Sequence, residues 1–198
     1  MCDFNDDFDR LSGQLKKSLK KKRYIHSLGV AFCSAQMAGI FCDDNNAGEF
    51  IHKAMIAGLL HDCARCYSED ELLIQAHKNN IPVNAVMEAN PNLLHAKVGV
   101  FVAQKEYNIT DSGILDAIET HTTGEPAMTL LQKIVFIADY IEPGRKFHDK
   151  LTHIRQLAFT DLDRCVYEIC ENTIQYVKAN NHSLDEQTIA TRNYYAGE

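Results

Sequence analysis

Six residues of this chain carry side chains that could form a metal centre: His26, the adjacent pair His61-Asp62, His95, His121 and Asp139. Imidazole nitrogens and carboxylate oxygens are the mixed donors of borderline divalent metals. The His61-Asp62 pair is the most informative, because it ends the apolar run Ala54-Met55-Ile56-Ala57-Gly58-Leu59-Leu60. Two ionisable groups at the inner end of a buried helix are costly unless something satisfies them, and a metal ion would. Asp139 is as awkward, inside Val135-Phe136-Ile137-Ala138-Asp139-Tyr140-Ile141, where a carboxylate needs a partner to stay buried. A single histidine on an apolar helix is more often a satisfied core residue than a ligand, and His121, before a loop, reads equally well as exposed. The argument therefore rests on the candidates together, all near inner helix ends. His52, His77, His148, His153 and His182 lie in polar stretches and read as surface.

Histidine and aspartate without a clear thiolate favour Fe, Mn, Co or Zn over a structural zinc. The set is too large for one ion that must also bind substrate. It suits two ions if one carboxylate bridges, and Asp62, beside His61, is the natural bridge. Such a centre stays net positive, attracts an anionic phosphate and lowers the pKa of a bridging water. Phosphoryl chemistry also needs cations at the non-bridging oxygens. Arg65, three residues beyond Asp62, and Arg145, after the Pro143-Gly144 break, are the candidates, against a reading of each as a surface arginine. Arg23 lies three residues before His26 on the same helix face. It ends the basic run Lys16, Lys17, Lys20, Lys21, Lys22, which is either a solvated helix face or an electrostatic collar for an anion.

The elements that must position these residues are helical nearly throughout. Expected helices run over about 6–22, 23–41 and 47–62, the last entering the His-Asp pair, with a polar break at Asp43-Asp44-Asn45-Asn46. Ser68 with Glu71 reads as a capping box for a helix ended by Asn79-Asn80-Ile81-Pro82. Further helices are expected over about 93–107, from Asp111 or Ser112 to near His121, over 128–141, over 160–179 and over 185–195. No alternating strand pattern, repeat or linker is visible. One all-α domain of eight to ten helices, spanning 1–198, is the simplest account.

Composition bounds the function. The chain has 198 residues, 45% of them apolar and 24% charged, with a net charge of −7. That balance argues against bulk nucleic-acid binding. No apolar run of about 18 residues predicts a membrane span, and the acidic start Met1-Cys2-Asp3-Phe4-Asn5-Asp6-Asp7 has no signal-peptide character. Seven cysteines, several in apolar helical patterns, fit reduced thiols in a cytoplasm. Cys63 and Cys66 form a lone C-x-x-C, read as two small helix-end residues rather than as a zinc or redox site.

With these residues in hand, the chain resembles the HD-domain metal-dependent phosphohydrolases, whose pattern H…HD…D is matched in order by His26, His61-Asp62 and Asp139. It resembles more closely the YqeK family of bacterial HD proteins. The matching segments are Arg23-Tyr24-Ile25-His26-Ser27, Ala57-Gly58-Leu59-Leu60-His61-Asp62-Cys63-Ala64-Arg65, Leu94-His95-Ala96, His121-Thr122-Thr123-Gly124 and Ala138-Asp139-Tyr140-Ile141-Glu142-Pro143-Gly144-Arg145. They extend the resemblance over residues 20–195 and leave the N-terminal stretch outside it. The resemblance implies an HD fold with two ions per chain, iron in first place. It also implies symmetrical hydrolysis of diadenosine tetraphosphate to two ADP by a metal-generated hydroxide. His26, His61, Asp62 and Asp139 would hold one ion, and Asp62, His95 and His121 the other. Arg65, Arg145 and Thr123 would contact phosphate, and a homodimer is expected at family level. The rivals are an HD phosphohydrolase of another nucleotide (a dNTP, a nucleoside monophosphate or a cyclic dinucleotide), a dinuclear iron oxygenase, and a catalytically silent nucleotide sensor.

Overall fold

Helix boundaries fall where capping chemistry puts them. In the computed structural model, which describes residues 4–42 and 46–197, Ser68 and Glu71 form the reciprocal capping box that opens α4 (Glu69–Lys78). Thr129 and Gln132 form a second at α8 (Leu130–Ile141). Asp111 caps α7 (Ser112–Thr120), Asp161 caps α10 (Leu162–Ala179) and Asp185 caps α11 (Glu186–Ala196), each accepting from a backbone N–H of the first turn. These bonds satisfy donors that a helix start leaves orphaned. The remaining helices are α1 (Phe4–Ser18), α2 (Lys21–Phe41), α3 (Ala47–Leu60), α5 (Ala85–Ala89), α6 (His95–Tyr107) and α9 (Leu151–Leu157). Short 3-10 turns at Cys63–Cys66 and Pro91–Leu94 lead out of the His-Asp pair and into His95.

The described residues contain no strand, so the all-α expectation stands, but with eleven α-helices instead of eight to ten. The additions are α5 and α9, one to two turns each, too short to show a period in sequence. The helix expected over 6–22 is broken at Leu19-Lys20, where α1 ends and α2 begins. Residues 43–45 of the expected polar break, and Met1–Asp3, lie outside the described residues.

The core is one cluster running from Leu11 and Leu15 of α1 to Cys170 of α10. At its centre α3 packs against α2, α7 and α8, and α8 also packs against α2 and α7, with α6 against α7 and α10 against α8. The α2–α3 contact is close because Gly58 has no side chain: a Cβ there would lie 3.0 Å from Ala31 Cα. Among the described helices only α2 is long and apolar enough to cross a membrane. It is packed against α3 and α8 and carries buried Ser27 and Ser34, as a core helix does.

A candidate dinuclear metal centre

Five helices bring their ends to one point. Arg23 and His26 lie in the first two turns of α2, His61 caps the C-terminus of α3, His95 opens α6, His121 caps α7, and Asp139 lies in the last turn of α8. The C-terminal ends of α3, α7 and α8 therefore converge. Their unpaired carbonyls give a helix C-terminus a partial negative charge, which favours a cation.

Three of the histidines are aimed by the same local device. Nδ1 of His61 lies 2.7 Å from the carbonyl of Gly58, Nδ1 of His121 lies 2.7 Å from that of Ile118, and Nδ1 of His95 bonds to that of Asn92. Each acceptor is the carbonyl three residues earlier; those of Gly58 and Ile118 lie at helix ends, where carbonyls are left over, and that of Asn92 also accepts the backbone N–H of His95. In each case the imidazole N–H donates, which fixes the tautomer and leaves Nε2 as a lone pair facing inward. His26 is held by a carboxylate instead, with Nδ1 3.1 Å from Glu142 Oε1.

The four Nε2 atoms surround Asp62, and its two oxygens divide them. Oδ2 lies 3.3 Å from His61 and 3.8 Å from His26; Oδ1 lies 3.3 Å from His95 and 3.8 Å from His121. Asp139 Oδ1 closes the first side, 2.9 Å from His26 and 3.6 Å from His61. Donor atoms of His26, His61 and Asp62 all lie within 4.8 Å of one another, as do those of Asp62, His95 and His121 and those of His61, His121 and Asp139. The six expected residues are thus brought together as one continuous cluster.

Whether this donor set fits a cation is answered by its unsatisfied atoms. Nε2 of His26 and of His61 are buried without a hydrogen bond. Nε2 of His95 faces Nε2 of His121 at 2.9 Å, two lone pairs in near contact. Buried polar atoms of folded proteins nearly all have partners, and a divalent ion is the partner such converging acceptors share. Burial opposes charge throughout. On His61 it is outweighed by the carboxylates of Asp62 and Asp139, which hold its pKa above the usual imidazole value. On His121 burial, aided by His95 and His61, pushes the pKa down to about 3. Burial would raise the carboxyl of Asp62, but His61 and His95 hold it well below the usual range. Neutral histidines and ionised carboxylates are the forms that bind metal.

The expected arginines all reach the cluster. Arg23 Nη1 lies 2.7 Å from Asp62 Oδ2, Arg65 Nε lies 3.3 Å from Asp62 Oδ1, and Arg145 Nη2 lies 2.5 Å from Asp139 Oδ1. They line a cleft of about 250 Å³ above the cluster with Thr122 and Tyr140. Thr123 does not line that cleft. It faces a neighbouring groove, and Thr122 Oγ1 is the hydroxyl near the histidines, 3.2 Å from Nε2 of both His95 and His121.

Sequence reading missed three residues besides Thr122. Glu142 is 4% exposed and accepts from the N–H of Gly144 as well as holding His26. It fits because α2 has a glycine there: a Cβ on Gly29 would lie 2.6 Å from Glu142 Oε2. A glycine three residues after a candidate ligand was the available signal. Arg155 of α9 anchors the same corner, donating at 3.0 Å to the carbonyls of both Ile141 and Glu142. Asn92 joins two functional groups, since its carbonyl orients His95 and its Oδ1 accepts from Arg65 Nη1 at 3.1 Å.

Two surface and cysteine readings are settled by position. His77, His148, His153 and His182 are exposed, whereas His52 is partly buried, with burial lowering its pKa despite Asp7 nearby. Cys63 is fully buried, bonds through Sγ to the carbonyl of Gly99, and burial pushes its thiol well above the usual pKa. Neither Cys63 nor Cys66 joins the donor cluster.

A model of the HD domain matches residues 23–144, a span that contains all six candidate ligands. A symmetrical bis(5'-nucleosyl)-tetraphosphatase of Bacillus subtilis (strain 168) is 36% identical over 91% of the chain and 92% of its own length. Another so named, from Staphylococcus aureus, is 35% identical over 91% and 90%. The crystal structure of a predicted HD superfamily hydrolase involved in NAD metabolism, from Clostridium acetobutylicum, superposes with a TM-score of 0.88 at 38% identity, covering 96% of this chain and 97% of that one. The ordered His and Asp ligands, the helix ends that present them and the match along nine-tenths of the chain lead to one conclusion: this chain belongs to the HD domain family.

Proposed function

We propose that this protein hydrolyses diadenosine tetraphosphate symmetrically to two ADP, using two divalent ions per chain, iron in first place and Mn, Co or Zn as substitutes. The observation that carries this reading is the division of Asp62, one oxygen toward His26 and His61 and the other toward His95 and His121. His26, His61, Asp62 and Asp139 would hold one ion, and Asp62, His95 and His121 the second. Bound there, the metal supplies Lewis-acid polarisation of phosphate and a water acidic enough to act as nucleophile near neutral pH.

The chain's own residues do the rest. Arg23, Arg65 and Arg145 line the cleft and offer planar forks of donors to phosphate oxygens. Arg65 is pre-aimed by Asn92, so less side-chain freedom is lost when it engages. In the reaction, water adds to one of the two central phosphorus atoms. The bond from that phosphorus to the central bridging oxygen breaks, and the oxygen leaves with the second ADP, its charge met by arginine. The buried, free cysteines Cys33, Cys63, Cys165 and Cys170 support a reducing, cytoplasmic setting.

The test is metal analysis of anaerobically purified protein, coupled to product analysis with diadenosine tetraphosphate. Two ions per chain with ADP as the sole nucleotide product is the expected result. Two ions without ADP would overturn the substrate, and no ion after reconstitution with Fe, Mn, Co and Zn would overturn the centre.

A further inference from the structure

The three arginines of the cleft are not held alike. Among the described residues, the bonds of Arg23 and Arg145 end on Asp62 and Asp139. These are proposed ligands, so an ion competes for the carboxylate oxygens the two arginines use. Arg65 also reaches Asp62, at 3.3 Å, but it has an anchor outside the ligand set: Nη1 donates to Asn92 Oδ1 at 3.1 Å. It is the least exposed of the three side chains, at 28% against 37% and 39%.

Asn92 is itself held from behind. Its Nδ2 donates to Glu69 Oε1. The amide cannot be turned round, because a guanidinium only donates and a carboxylate only accepts. The oxygen must face Arg65 and the nitrogen must face Glu69. The amide is thus an oriented dipole between a cation and an anion, and both of its bonds are charge-assisted. Glu69 is placed in turn by local sequence. It is the first residue of α4, between Ser68 and Glu71 of the capping box, and a carboxylate there suits the positive end of the helix. Helix α4 packs on the 3-10 turn Pro91–Leu94 that carries Asn92. Glu69 is exposed, and neither it nor Asn92 lines the cleft.

We infer that Glu69 is a positioning residue for phosphate binding: it orients the Asn92 amide, and the amide holds the Arg65 guanidinium at the cleft independently of the carboxylates. The inference rests on the reading of the cleft as a phosphate site. The sign of the effect separates positioning from charge. Removing a negative charge near an anion site ordinarily tightens the anion. Removing Glu69 loosens it, because Arg65 loses its anchor and must be ordered when the ligand arrives.

The experiment is titration calorimetry of inorganic tripolyphosphate on the metal-loaded protein, in roughly 0.15 M salt to screen through-space charge effects. The variants are Arg65→Ala, and Asn92→Ala and Glu69→Ala each alone and in the Arg65→Ala background, with metal content measured on all. Arg65→Ala weakens tripolyphosphate roughly thirtyfold, Asn92→Ala roughly tenfold and Glu69→Ala roughly threefold. Glu69→Gln, which removes the charge but keeps an acceptor oxygen, stays within about twofold of wild type. In the Arg65→Ala background neither further substitution changes affinity by more than about twofold, since each acts through a residue already gone. Metal content stays constant, because the Asn92 group that aims His95 is the backbone carbonyl. Unchanged or tighter binding by Glu69→Ala overturns the inference, as does a loss that persists without Arg65, or a loss of metal. Those outcomes leave the phosphate reading standing. Failure of the wild type to bind tripolyphosphate, or no weakening by Arg65→Ala, overturns that reading and the positioning role with it.

Discussion

The two sides of Asp62 are built differently. On one, His26, His61 and Asp139 join it, Asp139 is partly open to the cleft, and Arg145 lies on Asp139. On the other stand only His95 and His121, both almost fully buried, with the Thr122 hydroxyl beside them. The first side offers four protein donors and the second three. Closed donor sets are the mark of a metal that stays, and open ones of a metal that exchanges ligands with water or substrate. On the two-ion proposal, the difference would give holding to the His26 side and substrate contact to the His95 side.

Removing what the two sides share is the largest break. Asp62→Ala should strip both ions and lower turnover by roughly 10³-fold or more, measured as metal content and ADP release; a variant that keeps either ion would show that the carboxylate does not join the sides. Next, His121→Ala should leave close to one ion per chain. His61→Ala should cost the tighter ion first in a chelator titration, and identical titrations for the two variants would erase the distinction. Smaller again, Glu142→Gln keeps a hydrogen-bonding side chain beside His26 but loses its charge. Partners of metal-bound histidine are worth about 10- to 100-fold in affinity or activity, and the loss should fall on the His26 side alone. Smallest, Cys66→Ser should leave metal content unchanged and shift stability by no more than about 0.5 kcal/mol; loss of an ion would reinstate the C-x-x-C as a ligand pair.

Of the six candidate ligands, the most legible in sequence are those that stand as a charged or imidazole group at the end of, or inside, an apolar run. His61-Asp62 and Asp139 stand out by that contrast, and long helices such as α8 and α10 show their period. What supports the ligands was not legible. Glu142 precedes Pro143-Gly144 and reads as a polar helix stop, and only packing against Gly29 reveals that it is buried. Asn92 acts partly through its backbone carbonyl, which residue type does not encode. Thr122 and Thr123 are adjacent and chemically alike, and the turn after α7 decides which hydroxyl faces the histidines. Helices α5 and α9, of five and seven residues, are shorter than those that hold together alone and depend on tertiary contact.

The carbonyl bonds that aim His61, His95 and His121 have a consequence for the order of events in the cell. Each is made within a single helical turn and by the polypeptide alone, so the rings are pinned as soon as their helices form. The orientation of these three rings is therefore set by the polypeptide's own bonds, unlike a zinc finger, whose chain is unfolded until the ion arrives. On the two-ion proposal, loading the metal would then be separable from aiming these rings, and which ion is held would follow from its supply as much as from the ligands.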